Sequence, residues 1–169
     1  MSTALLSPSR RLPALDVRPL RGYEEYLVQD VFDALGPDSR FRRFHHAATR
    51  LSLSAKRDLI ASVPGERMAV VALWLGRAVG MGQWARDDQD PTVAELAVAV
   101  ADLHQRRGIG GRLAADLARS AEQADVSWFR AHVHEDNRPV RAWLSERGPH
   151  AREEHPGELL LPVRALLAA

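Results

Sequence analysis

The chain has 169 residues, of which 46% are hydrophobic and 27% are charged, a composition typical of one compact folded domain and not of a disordered chain. Its 23 Lys and Arg against 22 Asp and Glu leave a net charge of +1, which argues against a dedicated nucleic-acid or membrane-surface binder. Cysteine is absent, so disulfides, thiolate metal sites and a cysteine acyl-enzyme are excluded.

The sequence carries neither a membrane-span pattern nor a signal-peptide pattern. No run approaches the ~20 apolar residues of a spanning helix, and the arginines of residues 1–13 follow their short apolar patch rather than precede it. We therefore expect a cytoplasmic protein, with residues 1–13 as a flexible leader and residues 14–169 as a single domain.

The first part of this domain is predicted to contain one strand and three helices. Pro19 places a short strand near residues 15–20 at a sheet edge, since proline lacks the amide donor that a central strand needs. Apolar residues at three- and four-residue steps predict a helix over residues 23–35, ended by Gly36 and Pro37. Two short helices follow, and each has two candidate N-caps: Asp38 or Ser39 for the second, and Ser52 or Ser54 for the third.

The second part of the domain alternates predicted strands with helices. Two apolar runs, at residues 68–75 and 78–84, flank a predicted hairpin turn at Gly76 and Arg77. Further strands are expected at residues 93–101, 126–134 and 157–163, the last after a turn at 155–157, and helices at 108–124 and 138–147. The order β, three α, three β, α, β, α, two β predicts an α/β (α+β) fold with helices packed on a mixed sheet.

The glycine-rich segment before the helix at residues 108–124 is the most informative part of the chain. Gly108, Gly110 and Gly111 stand at the helix start, where residues without Cβ let an anion reach the free amides of the first turn. The segment therefore predicts a pyrophosphate cradle. It lacks the G-x-G-x-x-G spacing of a dinucleotide fold, and Gly111 is followed by Arg112 where a P-loop has lysine. The alternative is a glycine-rich helix entry that binds no ligand.

The sequence Gln-Arg-Arg-Gly-Ile-Gly-Gly at residues 105–111 resembles the acyl-CoA signature of the GCN5-related N-acetyltransferase (GNAT) family. The resemblance covers residues 17–163 and includes Asn137, which lies where the family often has an asparagine before a helix. It implies a GNAT-type mixed, mostly antiparallel central sheet flanked by helices, with acetyl-CoA as co-substrate and no metal.

By the same resemblance, the cofactor would meet three parts of the chain. The amides of residues 107–111 would hold the pyrophosphate, backbone groups of Val98 and Val100 would pair with the pantetheine arm like an added strand, and Asn137 would contact the far end of the cofactor. Arg106, Arg107 and Arg112 would contact phosphate or form a solvated helix face. The predicted cofactor-binding residues are Val98, Val100, Arg106, Arg107, Gly108, Ile109, Gly110, Gly111 and Asn137.

Glu95 is the predicted catalytic residue. It interrupts an apolar strand, where partial burial would raise the pKa of a carboxyl group toward the working range of a base; the alternative is a strand-end glutamate that faces solvent. Residues 94–98, Ala-Glu-Leu-Ala-Val, resemble the A-E-[FL]-A-V strand of a bacterial subgroup that includes protein-lysine acetyltransferases. In that subgroup the glutamate acts as base, and residues 38–44 and 51–54 are similar to its S-R-[YF]-x-R-F and L-S segments.

Three other sets of residues bear on the mechanism. Leu144 stands where many family members have the tyrosine that protonates the departing thiolate, so solvent or backbone amides would take that role. Tyr23 and Tyr26 are expected to pack in the core, with contact to substrate, together with Phe41 and Phe44, as the alternative. His132 and His134, with Glu135 and Asp136 after them, are expected to form a solvated or hydrogen-bonded pair, with a metal site as the alternative.

Together these features predict an N-acetyltransferase that passes the acetyl group of acetyl-CoA directly to a primary amine, with a protein lysine as the leading acceptor. A small-molecule amine is the enzymatic alternative. The rival from another class is a non-catalytic acyl-CoA-binding or interaction module, which Leu144 favours and Glu95 disfavours. No nucleic-acid or membrane partner is expected, and the resemblance leaves a homodimer open.

Overall fold

The structure is a computed structural model that describes residues 15–45, 47–147 and 151–167, so the predicted leader at residues 1–13 lies outside it. Within these ranges seven strands form one sheet in the order β1-β2-β3-β4-β5-β7-β6. The strands are β1 (Asp16–Pro19), β2 (Arg67–Trp74), β3 (Arg77–Arg86), β4 (Val93–Val100), β5 (Trp128–His132), β6 (Arg152–His155) and β7 (Glu158–Pro162). Neighbouring strands are antiparallel except for the parallel pair β4 and β5. The predicted mixed, mostly antiparallel sheet is confirmed.

Helices cover both faces of this sheet. They are α1 (Glu25–Asp33), α2 (Pro37–Phe44), α3 (Leu53–Ile60), α4 (Ile109–Gln123) and α5 (Arg138–Arg147). One apolar cluster joins α1 and α3 to β2, β3 and β4, and a second joins α4 to the opposite face. The sheet therefore separates two cores, and the predicted order of helices and strands is confirmed.

Close packing of α4 on β3 depends on a strand glycine. A Cβ built on Gly82 would lie 2.8 Å from Cδ1 of Leu117 and 3.3 Å from the carbonyl oxygen of Ala97. Leu117 is fully buried, so this contact fixes how near the helix lies to the sheet. Because α4 starts beside the end of β4, the same packing positions the glycine-rich segment that precedes the helix.

Some local predictions are confirmed and others are wrong. The Ser52 side chain caps α3 by accepting a 3.1 Å hydrogen bond from the amide of Ala55, as predicted. The N-cap of α2 is Gly36, with Pro37 at the first helical position, and not Asp38 or Ser39, because the fixed φ of proline suits that position and its missing amide has no intrahelical partner there. The hairpin turn is formed by Leu75 and Gly76 with φ of 52° and 77°, one residue earlier than predicted.

Candidate active site

The site is built where β4 and β5 separate. The two strands pair at Val93 with Trp128, Ala94 with Phe129 and Glu95 with Arg130. Beyond Glu95, β4 runs on to Val100 along β3, whereas no further position of β5 is paired with β4 in the described ranges. The edge of β4 from residue 96 to residue 100 is thus left without a partner strand on the β5 side.

The backbone of β4 presents hydrogen-bonding groups to this opening. The amide of Ala101 bonds to the Val79 carbonyl on β3, whereas the Thr92 carbonyl accepts a bond from the amide of Trp128. Because backbone groups of successive strand residues point to opposite sides, Val98 and Val100 direct theirs toward the opening. The backbone groups of Val98 and the amide of Val100 are thus open to an extended ligand, whereas the Val100 carbonyl accepts a hydrogen bond from the Gln105 side chain.

The glycine-rich segment meets the end of this open edge. Gly108 has φ of 78° and forms the N-cap of α4, and a Cβ there would meet no atom within 4 Å. A Cβ on Gly110 would lie 3.7 Å from Cγ2 of Val100, so the helix start borders β4. The first hydrogen bond of the helix runs from the Arg112 amide to the Gly108 carbonyl, at 3.0 Å. The amides of the residues before Arg112 have no acceptor within the helix.

Side chains around the segment differ in what they can offer a ligand. Ile109 is buried in the α4 core, so only its backbone can take part in binding. Arg106 and Arg107 are exposed beside Gly108, and Arg106 has a φ of 59°, a conformation that most residues avoid. The arrangement fits an anionic group, since open backbone amides lie at a helix N-terminus and two exposed arginines directly precede it in the chain.

A polar brace, which the sequence did not predict, holds the segment against the N-terminal helices. The Gln105 side chain donates hydrogen bonds to the Val100 carbonyl and to Oδ1 of Asp102, both at 3.1 Å, and to Ser39 Oγ at 3.3 Å. Asp102 Oδ2 in turn accepts a bond from the amide of Gly36 at 3.1 Å. Gln105 opens the signature at residues 105–111, and this is the one sequence signal that could have pointed to the brace.

Glu95 lies at the fork between β4 and β5, but the predicted partial burial of its side chain is wrong. The side chain is 61% exposed, because the helices that cover this face lie over β2, β3 and the end of β4 and leave its start open. Small residues, Ala97 and Ala99, follow on the same face of β4. A carboxylate here can reach an acceptor that approaches from solvent.

Charged side chains of neighbouring strands surround Glu95. Arg130, its register partner on β5, forms ion pairs with Asp87 and, at 3.0 Å, with Glu158. The Gln89 amide and the Arg130 guanidinium lower the pKa of Asp87, so this carboxylate is charged at neutral pH. Asp87 and Glu158 therefore share the Arg130 guanidinium, and Glu95, its register partner, adds a third carboxylate, so carboxylates outnumber the guanidinium among these four side chains. The sequence signal that could have pointed to this charged face is the pair of polar residues, Arg130 and His132, at alternate positions of an otherwise apolar strand.

A groove of about 600 Å³ lies at the end of β5 and is lined in part by His132. Its lining includes His45 and the segment of residues 132–136. His132 Nε2 lies 3.9 Å from Oε1 of Glu95, whereas His134 Nδ1 lies 3.6 Å from Oδ2 of Asp136. The two histidines thus have different partners, and among the described residues no group of three or more His, Cys, Asp or Glu side chains is placed to hold a metal ion.

The remaining predicted residues lie around this site. Asn137 lies at the start of α5, where its backbone carbonyl accepts a 3.1 Å hydrogen bond from the amide of Arg141. Leu144 is 3% exposed and belongs to the α4 core, so position 144 offers no proton donor. The expected core packing of Tyr23 and Tyr26 is wrong, since they are 66% and 58% exposed: α1 buries Leu27, Val28 and Val31 instead. None of the described helices combines the length and apolar character that a membrane crossing requires.

Comparison with known families gives a match over residues 28–148 to the model of the acetyltransferase (GNAT) family. The chain belongs to this family. The match spans both β4 and the glycine-rich segment, so the GNAT resemblance of residues 105–111 is confirmed at the level of the family.

Individual GNAT proteins resemble the chain over different lengths. It is 35% identical over 74 residues to the acetyltransferase Pat of Mycolicibacterium smegmatis, and this match covers 44% of the chain but only 22% of that relative. The GNAT domain of S. lividans PAT superimposes with a TM-score of 0.77 at 19% identity, covering 92% of this chain and 98% of that domain. A diaminobutyrate acetyltransferase from Paenibacillus lautus, solved with L-2,4-diaminobutyric acid and coenzyme A, gives 0.63 at 16% identity, covering 89% and 94%. The structural matches establish the GNAT fold.

Proposed function

We propose that the chain is an acetyl-CoA-dependent N-acetyltransferase that transfers the acetyl group directly to the side-chain amine of a protein lysine, with Glu95 as the base. The observation that carries the proposal is the position of Glu95 at the fork, where β4 begins to present an open backbone edge. An extended thioester arm along that edge would end beside the carboxylate. We assign residues 14–169 to one catalytic domain in the cytoplasm.

The residues around the opening fit acetyl-CoA. Amides of Gly108, Gly110 and Gly111 would hold the pyrophosphate, with Arg106 and Arg107 as charge partners. Backbone groups of Val98 and Val100 would bind the pantetheine arm, the Ile109 amide would complete the cradle, and Asn137 would contact the cofactor from the start of α5. When bound, acetyl-CoA supplies an activated acetyl group, and a coenzyme A complex is known for the related diaminobutyrate enzyme.

The charge of the site favours a cationic acceptor. Glu95, Asp87 and Glu158 outnumber Arg130 on the open face, although the chain as a whole carries a net charge of +1. An ammonium group is therefore attracted to the position where Glu95 can remove its proton. The free amine then has the lone pair that attack on the thioester requires.

A protein lysine fits this site better than a small amine. The Glu95 side chain is 61% exposed, so a lysine side chain can reach it while the rest of its protein stays outside. The match to acetyltransferase Pat and the resemblance of residues 94–98 to the protein-lysine subgroup support the same acceptor. The diaminobutyrate acetyltransferase, which has the same fold, favours the alternative of a small-molecule amine.

The proposal is tested by turnover of wild type and Glu95→Gln with acetyl-CoA and two acceptors, a lysine-containing peptide and an aliphatic diamine. Released CoA is read with a thiol reagent, to which a chain without cysteine contributes no background, and mass spectrometry identifies the acetylated acceptor. Glu95→Gln is expected to lower kcat/KM by about 10²- to 10⁴-fold. Glu122→Gln, an exposed glutamate near the end of α4, is the matched control and should leave it unchanged.

Each outcome selects one interpretation. Transfer to the peptide that depends on Glu95 supports the proposal, and preference for the diamine would select the small-molecule alternative. Equal rates for wild type and Glu95→Gln would remove Glu95 from the mechanism. Binding of acetyl-CoA without transfer to either acceptor would favour the non-catalytic acyl-CoA-binding module.

A further inference from the structure

His132 is the β5 side chain that forms an ion pair with the proposed base. Parallel pairing ends at Glu95 and Arg130, and His132 follows Arg130 by two residues on the same face of its strand. Its Nε2 therefore points back to Glu95 Oε1 at 3.9 Å, across the fork between the two strands. From the structure we infer that His132 is a positioning residue that takes the acceptor's proton from Glu95 and releases it to solvent.

This inference rests on the proposed function and adds a proton path to it. The acceptor ammonium gives its proton to Oε1 of Glu95, the resulting acid gives it to Nε2 of His132, and the imidazolium releases it to water in the groove. Each transfer moves one proton and no electrons, and Glu95 returns to its carboxylate form. The distance of 3.9 Å requires a small side-chain rotation or one bridging water, and both are ordinary for catalytic groups before substrate binds.

The surroundings of His132 suit a group that exchanges protons with solvent. Its side chain is 46% exposed and lines the groove. The ring of His45 lies edge-on to it at 6.1 Å between centroids, which limits the orientations of the imidazole. His134 does not substitute for it, because that ring lies beside Asp136 and packs edge-on against Phe41 at 5.7 Å.

Several charged and titratable groups face His132 from the elements around it. They are Glu95 from β4, Arg130 from β5, Glu158 as its register partner on β7, His45 from the end of α2, and Glu135 and Asp136 from the following loop. Arg130 is neutralised by Asp87 and Glu158. Among the described residues, Glu95 is the carboxylate that forms an ion pair with His132, and this is its one ion pair.

Two substitutions separate proton transfer from shape. His132→Ala removes the imidazole, and His132→Gln keeps a polar side chain of similar reach that cannot carry the proton. Both should lower kcat about tenfold and leave KM for the acceptor within about twofold, since neither touches the binding groups assigned above. His155→Gln on the edge strand β6, where the side chain is exposed, is the matched histidine control and should retain wild-type kcat.

Three readouts distinguish proton transfer from a purely structural role. Added imidazole should restore much of the kcat of His132→Ala, because the vacated position is open to solvent, but not that of His132→Gln. The pH profile of kcat/KM should differ between wild type and His132→Gln, because only wild type has an imidazole at this position that can accept the proton. In the protein without acetyl-CoA, Glu95→Gln should move the nitrogen-15 resonance of His132 Nε2 and leave that of His155 in place.

The outcomes separate failure of this inference from failure of the proposed function. Wild-type kcat in His132→Ala, together with a large loss in Glu95→Gln, would overturn the role of His132 and keep Glu95 as base. A loss in His132→Ala that imidazole does not restore, with an unchanged pH profile in His132→Gln, would reduce His132 to a structural residue. No dependence on Glu95, or no transfer at all, would overturn both proposals.

Discussion

Gly108 allows the cofactor cradle to be tested with an internal control, because Gly76 has almost the same backbone conformation elsewhere in the chain. The φ angles are 78° and 77°, and a Cβ added at either position meets no atom within 4 Å. Both residues are exposed. Gly108 starts α4 at the proposed site, whereas Gly76 lies in the hairpin between β2 and β3. Substitution at either glycine should therefore lose the same folding free energy to left-handed backbone strain. Only the effect on ligand binding should differ between the two positions.

The two positions predict equal stability losses and unequal binding losses. Alanine at either position should cost about 1 to 2 kcal/mol of folding free energy, which lowers Tm by about 2 to 4 °C per kcal/mol in a chain of this size. Glutamate at Gly108 additionally places a negative charge near the pyrophosphate. At ~4 Å and an effective dielectric constant of ~20 the repulsion is about 4 kcal/mol, and solvent screening lowers it to about 2 to 4 kcal/mol, or about 30- to 1000-fold in Kd.

The assay is calorimetric titration with acetyl-CoA, together with thermal melts of Gly108→Ala, Gly108→Glu, Gly76→Ala and Gly76→Glu. Wild type and both Gly76 variants should bind with the same affinity, in the micromolar range or about −8 kcal/mol. Gly108→Glu should show the full loss. Binding by Gly108→Glu at wild-type affinity would refute the cradle, and a similar loss in Gly76→Glu would show that the effect comes from general destabilisation.

Two further predictions concern stability. Glu24 is buried at the start of α1 and accepts two 2.8 Å hydrogen bonds from Arg18 and one of 2.9 Å from the Arg21 amide, and the Arg18 guanidinium holds the pKa of Glu24 below its usual range. This stabilisation is complete above the pKa of an ordinary carboxyl group and is lost as pH falls through the lower pKa that Glu24 has in the folded protein. Glu24→Gln should therefore lower the free energy of unfolding by about 1.5 to 3 kcal/mol at pH 7, measured by urea titration. The stability of the variant should also fall less steeply toward acid pH than that of wild type, and parallel curves of stability against pH would contradict this. Gly82→Ala should lower stability by about 1 to 3 kcal/mol because its Cβ would lie 2.8 Å from Leu117 Cδ1, whereas Gly22→Ala, with no atom within 4 Å, should not; equal Tm values for the two variants would refute the packing argument.

Several features of the fold could be predicted because their causes lie within a few residues of chain. Helical spacing before Gly36, the serine cap of α3 and the glycines of residues 108–111 act through local backbone geometry, and the structure places each near its expected position. The error in the hairpin is a shift of one residue. The hairpin turn moves to Leu75 and Gly76 because the pairing of β2 with β3 sets its register, and register depends on which side chains face the core.

The candidate site divides in the same way. By itself the sequence determined the strand with Glu95, the glycine-rich start of α4 and the family, since each depends on residue types at short, fixed spacing. Tertiary structure alone decided that Glu95 is exposed, that Tyr23 and Tyr26 leave the core, and that His132 faces Glu95. These properties depend on which elements cover a face and on where two strands separate. The covering elements and the separating strands come from segments 30 or more residues apart in the chain, as Glu95 and His132 are. No local pattern in the sequence encodes contacts over such separations.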